Sequence, residues 1–133
     1  MEGFINTVDT YEENGEEIVA ADIINRTITD FVDDRIKVVS RFVFYGCINL
    51  KRVALPKVTE IYFDAFKGCY NLQTLIVGTE INEVCKFKYT SQPINNSQLS
   101  IYVPDNLVED YKNASGWSSY YADKIKPIPE LPQ

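Results

Sequence analysis

No histidine stands anywhere in the 133 residues, which removes the side chain most often used for general acid–base work near neutral pH. The three cysteines include no pair at CxxC spacing, so no zinc-type ligand set is in view. A glycine-rich phosphate loop and a nucleophile elbow are also missing. Adjacent carboxylates do occur, at Asp33–Asp34 and Glu109–Asp110. Neighbours on a strand or helix point apart and cannot share one substrate atom, so these read as solvated surface. No apolar run approaches the length of a bilayer span. The opening stretch MEGFINTVDTYEENGEE is acidic where an export leader would be basic and then apolar. These absences predict a non-enzymatic chain with no catalytic residue, metal site or cofactor. They also predict no membrane insertion and no passage through the standard export route.

What is present is repetition. FYGCINLKRVALPKVTEI, residues 44–61, is followed by FKGCYNLQTLIVGTEINEV, residues 66–84. Phe44 and Phe66, Gly46 and Gly68, Cys47 and Cys69, Asn49 and Asn71, and Leu50 and Leu72 each pair at an offset of 22. Self-similarity at such a period marks a solenoid, in which a unit buries its apolar face only when a neighbour stacks on it. Val53 and Leu55, then Leu75 and Val77, read as short strands, the first ended by Pro56 and the second by Gly78. Phe44–Cys47 and Phe66–Cys69 read as single helical turns, each containing a glycine able to take the left-handed conformation. Asn49 and Asn71 fall where an Asx turn would redirect the chain into the strand. Val58 and Ile61 match Ile36 and Val39 upstream at 22, and Ile81 and Val84 downstream at 23, which predicts a second extended edge. After Val84 the pattern lapses into CKFKYTSQPINNSQ, leaving two good units.

The stretch VTEIYFDAFKGCYNL, Val58 to Leu72, resembles the leucine-rich repeat of the BspA type, found on bacterial surface proteins and in minor structural proteins of bacteriophages of low-GC Gram-positive hosts. The tail IYVPDNLVEDYKNASGWSSYYADKIKPI, residues 101–128, resembles the C-terminal cap of short phage and prophage versions. With the leading segment IINRTITDFVDDRI, the likeness covers residues 23–131. It implies an α/β repeat: a short solenoid over 23–100 behind an N-terminal strand or hairpin arm over 1–22, with a helical cap and proline-rich tail over 101–133. The implied role is a structural or binding component of a virion, such as a head or tail fibre or a decoration, assembled in the host cytoplasm. A bacterial surface or secreted adhesion module is the alternative. An enzyme is a third possibility that no residue pattern favours. Implied partners are other virion proteins, copies of the same chain, or a host-surface protein or glycan.

The net charge of −6 is unevenly spread. Residues 1–34 carry ten acids against Arg26 alone, a local net of −9, and the remainder carries +3. An acidic chain is a poor partner for nucleic acid, whose phosphates need a basic surface. In the acidic arm, Asn14–Gly15 is a favoured hairpin pair, flanked by Phe4, Ile5, Val8, Tyr11, Ile18 and Val19 as apolar contact residues. The arm reads either as an attachment or oligomer contact or as a cap over the first unit.

At the far end, Ile101–Val103 reads as a last strand. Leu107, Val108 and Tyr111 recur at helical spacing, and Ser115–Gly116 breaks that helix. Trp117, Tyr120, Tyr121 and Ile125 begin a second amphipathic piece, and Pro127, Pro129 and Pro132 leave an extended tail. Cys47, Cys69 and Cys85 are expected to be reduced core residues. Phe44 and Phe66 belong to the core. Among the other aromatics packing is the simpler reading, and Tyr45, Tyr62 and Tyr70 stand out as binding candidates. Their repeat counterparts Lys67, Ser40 and Ile48 differ in character, as surface positions do.

Overall fold

The computed structural model describes residues 10–13, 16–19, 27–39, 43–88 and 98–131; for 10–13, 16–19, 63–64 and 119–120 it describes the backbone. Two parallel sheets share one core. The larger is built from β3 (Asp30–Val32), β5 (Arg52–Leu55), β7 (Thr74–Val77), β9 (Ser100–Val103) and β10 (Ile125–Pro127), adjacent in that order. The smaller is built from β4 (Val38–Val39), β6 (Glu60–Tyr62) and β8 (Lys86–Lys88). Each unit contributes one strand to each sheet, and a 3-10 turn at Phe63–Phe66 links them in the second. Parallel pairing requires a crossover between successive strands, and here the crossover is the rest of the unit.

The 22-residue offset is the strand register. Phe31 faces Val53, which faces Leu75, and Val39 faces Ile61. All five side chains are buried, as are the partners Ile36 and Val58. Phe44 and Phe66 stack with ring centroids 5.0 Å apart and planes 6° from parallel, and Phe31 meets Phe44 edge-on at 5.2 Å. Gly46 and Gly68 take φ of 74° and 89°, the left-handed region that the turn reading requires.

Four expectations need correction. Asn71 does not make a local Asx turn: its amide donates to the Ile48 carbonyl of the preceding unit at 2.6 Å. The bond ties two turns together instead of shaping one. The third unit does not lapse. Ile61 faces Phe87 and Leu75 faces Ile101, both 26 positions on, so both sheets continue through a unit four residues longer. Val84 is therefore not the counterpart of Ile61. The chain follows its neighbour through Gly78 N–H to Leu55 and Glu80 N–H to Pro56, then bends out and rejoins where Lys86 N–H reaches Thr59.

Ile101–Val103 is not the last strand, because β10 pairs parallel to β9. Pro127 is tolerated there on the sheet's edge, where no ladder donor is needed. The segment beyond is not a free tail either. Val32, Ala54, Ile76 and Tyr102 form one row across the outer face of the larger sheet, and Ile128 and Leu131 pack on its last three members. Covering both faces explains why β5, β7 and β9 bury three consecutive residues where a half-exposed strand would alternate.

The third unit ends against α1 (Val108–Asn113) and α2 (Trp117–Tyr120). Leu107, Tyr111, Trp117 and Tyr121 join the core. Gly116, at φ 88°, sits so close to β8 that a Cβ would lie 2.7 Å from the Phe87 carbonyl oxygen. At the other end β1 (Thr10–Glu13) and β2 (Glu16–Val19) form an antiparallel hairpin with Glu13 facing Glu16. β1 lies beside β4. The Asn14–Gly15 connection and the contact residues Phe4, Ile5 and Val8 lie outside the described residues; Tyr11, Ile18 and Val19 lie in the hairpin, where the side chains are not described.

Candidate interaction surface

Each unit turns twice between its strands, and the turns leading into β5 and β7 carry three of the four large apolar side chains that are exposed among the described residues, the fourth being Val32 on β3. Leucine, cysteine and phenylalanine of the motif point inward, so the residues between them are forced out. Tyr45 is 48 % exposed, Ile48 51 % and Tyr70 70 %. Ile48 and Tyr70 hold equivalent positions on adjoining turns, joined through the Asn71–Ile48 hydrogen bond. Lys67 holds the position equivalent to Tyr45, and Gly46 N–H donates to its carbonyl at 2.8 Å. Tyr45 and Tyr70 thus share one edge. Tyr62 does not join them: it is half-buried on β6, in register with Lys88 of the smaller sheet. Ile48 was readable only as the counterpart of Tyr70, since an isoleucine in a repeat suggests core until the motif register shows it facing outward.

The floor between these groups is backbone. A Cβ added to Gly68 would lie 3.1 Å from the Gly46 Cα and nitrogen, so the two turns are in close approach, whereas a Cβ on Gly46 would meet nothing within 4 Å among the described residues. Lys51 and Lys67 are exposed, and residues 43–51 and 65–73 contain no carboxylate. The edge is therefore aromatic, aliphatic and basic, a composition suited to a contact with an apolar and acidic group.

A second concavity, of about 300 Å³, lies where β8 meets the cap, lined by Val84, Cys85, Phe87, Ala114 and Ser115 with Lys86 and Lys88 at its sides. Its thiol is inert. Burial pushes the Cys85 pKa well above the ordinary thiol range, and Glu60 adds to the shift, so the nucleophilic thiolate is not available. Burial likewise raises the Tyr111 hydroxyl, partly offset by the hydrogen bond from Cys85 N–H. Cys47, Cys69 and Cys85 are buried and form no disulfide with one another, and the Cys69 thiol donates to the Phe44 carbonyl at 3.1 Å. Among the described residues no three carboxylate, cysteine or histidine side chains are grouped to hold a metal ion. No helix there is long and apolar enough to cross a membrane.

A family model described as the BspA type leucine-rich repeat region (6 copies) matches residues 25–114. No curated protein matches the chain.

Proposed function

Because the chain belongs to the BspA-type leucine-rich repeat family, we propose that it acts by binding and not by catalysis, as a structural component of a bacteriophage particle. In this reading it is a head or tail fibre or a decoration protein, located in the virion, that presents its repeat surface for adhesion or protein contact. Leucine-rich repeats serve generally as protein-contact modules, and the observation that carries the reading is the Tyr45–Ile48–Tyr70 edge. Three large apolar side chains, each about half exposed or more, sit together there; among the described residues the other exposed large apolar side chain is Val32, on β3. Exposed clusters of this kind mark contact sites. The partners are other virion proteins, copies of the chain, or a host-surface protein or glycan; no cofactor, nucleic acid or membrane insertion enters the reading.

The phage assignment draws on the likeness of residues 101–128 to phage-type caps. A bacterial surface or secreted adhesion module would use the same edge and is the second reading. Mass spectrometry of purified particles and of cell-envelope fractions from a producing strain separates them. Recovery in particles at stoichiometric amounts is the expected result. Recovery in envelopes of particle-free cells would replace the virion reading by the adhesion module.

A further inference from the structure

We propose that the glycine-floored edge bearing Tyr45, Ile48, Lys51, Lys67 and Tyr70 is the dock for the β1–β2 hairpin of a second copy of this chain. The proposal rests on the reading of the repeat surface as a protein-contact surface and names its occupant.

Shape comes first. The hydrogen bonds from Gly46 N–H to the Lys67 carbonyl and from the Asn71 amide to the Ile48 carbonyl fix two adjoining turns side by side. Among the described residues, no atom beyond Gly46 and its chain neighbours lies within 4 Å of where a Cβ on Gly46 would stand. Tyr45 and Lys67 occur on one side of that glycine pair in the motif, and Ile48 and Tyr70 on the other. A narrow two-stranded element can lie along such a strip and cover the apolar groups.

Charge selects which element. The strip carries two lysines and no carboxylate. The hairpin register sets Glu12 opposite Glu17 and Glu13 opposite Glu16, two facing pairs of like charge that weaken a ladder. Strand alternation puts these two pairs on opposite faces of the hairpin, and docking the face of the Glu13–Glu16 pair against Lys51 and Lys67 relieves its repulsion. The Tyr11–Ile18 pair, two places along in register, belongs to the same face as the Glu13–Glu16 pair. Within its own chain the hairpin lies beside β4, in the smaller sheet, whereas the strip belongs to the turns entering the larger one. Donor and acceptor are different surfaces of one subunit, so the contact is head-to-tail and closes into a ring if the rotation between subunits allows.

The test uses the full chain in three forms: wild type, K51E/K67E, and E13K/E16K, each checked for folding by circular dichroism. Light scattering over a concentration series should show that wild type associates, and that association weakens as salt is raised. Each reversed form should associate roughly tenfold or more weakly than wild type. An equimolar mixture of the two reversed forms should associate again, because each then offers the charge the other lacks. A wild type that stays monomeric at every concentration overturns the proposal. So does a mixture that remains dissociated while both forms are folded. If K51E/K67E associates as well as wild type, the dock lies elsewhere while the protein-contact reading stands.

Discussion

The Trp117 indole N–H donates to the Cys85 carbonyl at 2.6 Å, and the Cys85 N–H donates to the Tyr111 hydroxyl at 2.9 Å. Both main-chain polar groups of the residue entering β8 are thus satisfied by side chains of the cap. In the preceding unit the equivalent carbonyl, of Thr59, is taken by Lys86 N–H of the next strand, and the equivalent N–H donates back to Lys37. Phe87 adds apolar contact, with its ring 4.3 Å from Trp117 and 5.6 Å from Tyr121 between centroids. A buried, unpaired main-chain group costs about 1–3 kcal/mol, which is what these two bonds avoid.

Trp117→Phe keeps most of the packing and removes the donor. Urea melts should show a loss of about 1–3 kcal/mol, and Tyr111→Phe should do the same by leaving the Cys85 N–H unpaired. Unchanged midpoints in both would mean that water replaces these bonds at no cost.

Phe66→Ala removes the ring stacked on Phe44, one end of the Phe31–Phe44–Phe66 series. A destabilisation of about 3–5 kcal/mol is expected, read from denaturant midpoints. A loss below about 1 kcal/mol would put the side chain outside the core.

Gly46 and Gly68 separate two causes of glycine dependence. Both have positive φ, so alanine at either strains the backbone by about 1–2 kcal/mol. Only at Gly68 does the new methyl also press on rigid backbone, the Gly46 Cα and nitrogen at 3.1 Å. Gly68→Ala should therefore lower the melting temperature further than Gly46→Ala, and equal effects would show that the close approach is not retained in solution.

All three thiols should resist modification in the folded protein and react in denaturant, since Cys47, Cys69 and Cys85 are buried. Burial holds the Cys85 pKa far above neutrality, so raising the pH over the mildly alkaline range should not open this thiol to iodoacetamide. Rapid native-state labelling of Cys47 and Cys69 would break the stacked arrangement.

Acid sensitivity has one identifiable local source. Partial burial alone would raise the Asp33 pKa, but the Arg35 side chain, with contacts at 2.6 and 3.0 Å, and the Arg35 N–H at 2.8 Å outweigh it and hold the carboxylate below the ordinary aspartate range. A depressed carboxylate contributes stability that is fully present above its unfolded pKa and is lost as pH falls through the lower folded value. Arg35 is exposed, so the contribution is at most about 1 kcal/mol. The stability gap between wild type and Asp33→Asn should be constant from neutrality down to about pH 5 and should shrink below pH 4. A gap unchanged at the lowest pH would remove the ion pair as its cause.

Residues that recur in kind were legible in the sequence. Phe44 with Phe66 and Val53 with Leu75 give the period, and the period is the strand register. The third unit was hidden because Ile81 and Val84 offer an apolar match at 23. The backbone instead bends out after Glu80 and re-enters at Lys86, so register is set by where Phe87 reaches the core. Lys86–Phe87–Lys88, with only the centre buried, did carry a strand's alternation, though in too few residues to stand out. Ile76 and Tyr102 held a similar signal. Large apolar residues at outward positions imply a cover, and Ile128 and Leu131 provide it. The contact edge was half readable: Tyr45 and Tyr70 from their variable positions, but neither Ile48 nor the separation of Tyr62 without the third dimension.

The closure of β8 by Trp117 and Tyr111 also determines where this protein can change length. The Trp117 indole donates where a following strand would, so a further unit cannot be added beyond the third without evicting it. Upstream the junctions are alike: Asp30 faces Arg52 and Arg52 faces Thr74, both at a step of 22. A block cut at residues 52–73 and inserted in tandem meets at each new boundary the same pairing it already makes. Growth or shrinkage of the lineage by whole units therefore has a permitted site in the middle and a fixed terminus, and the distance between the two ends of the molecule can be reset while both remain unaltered.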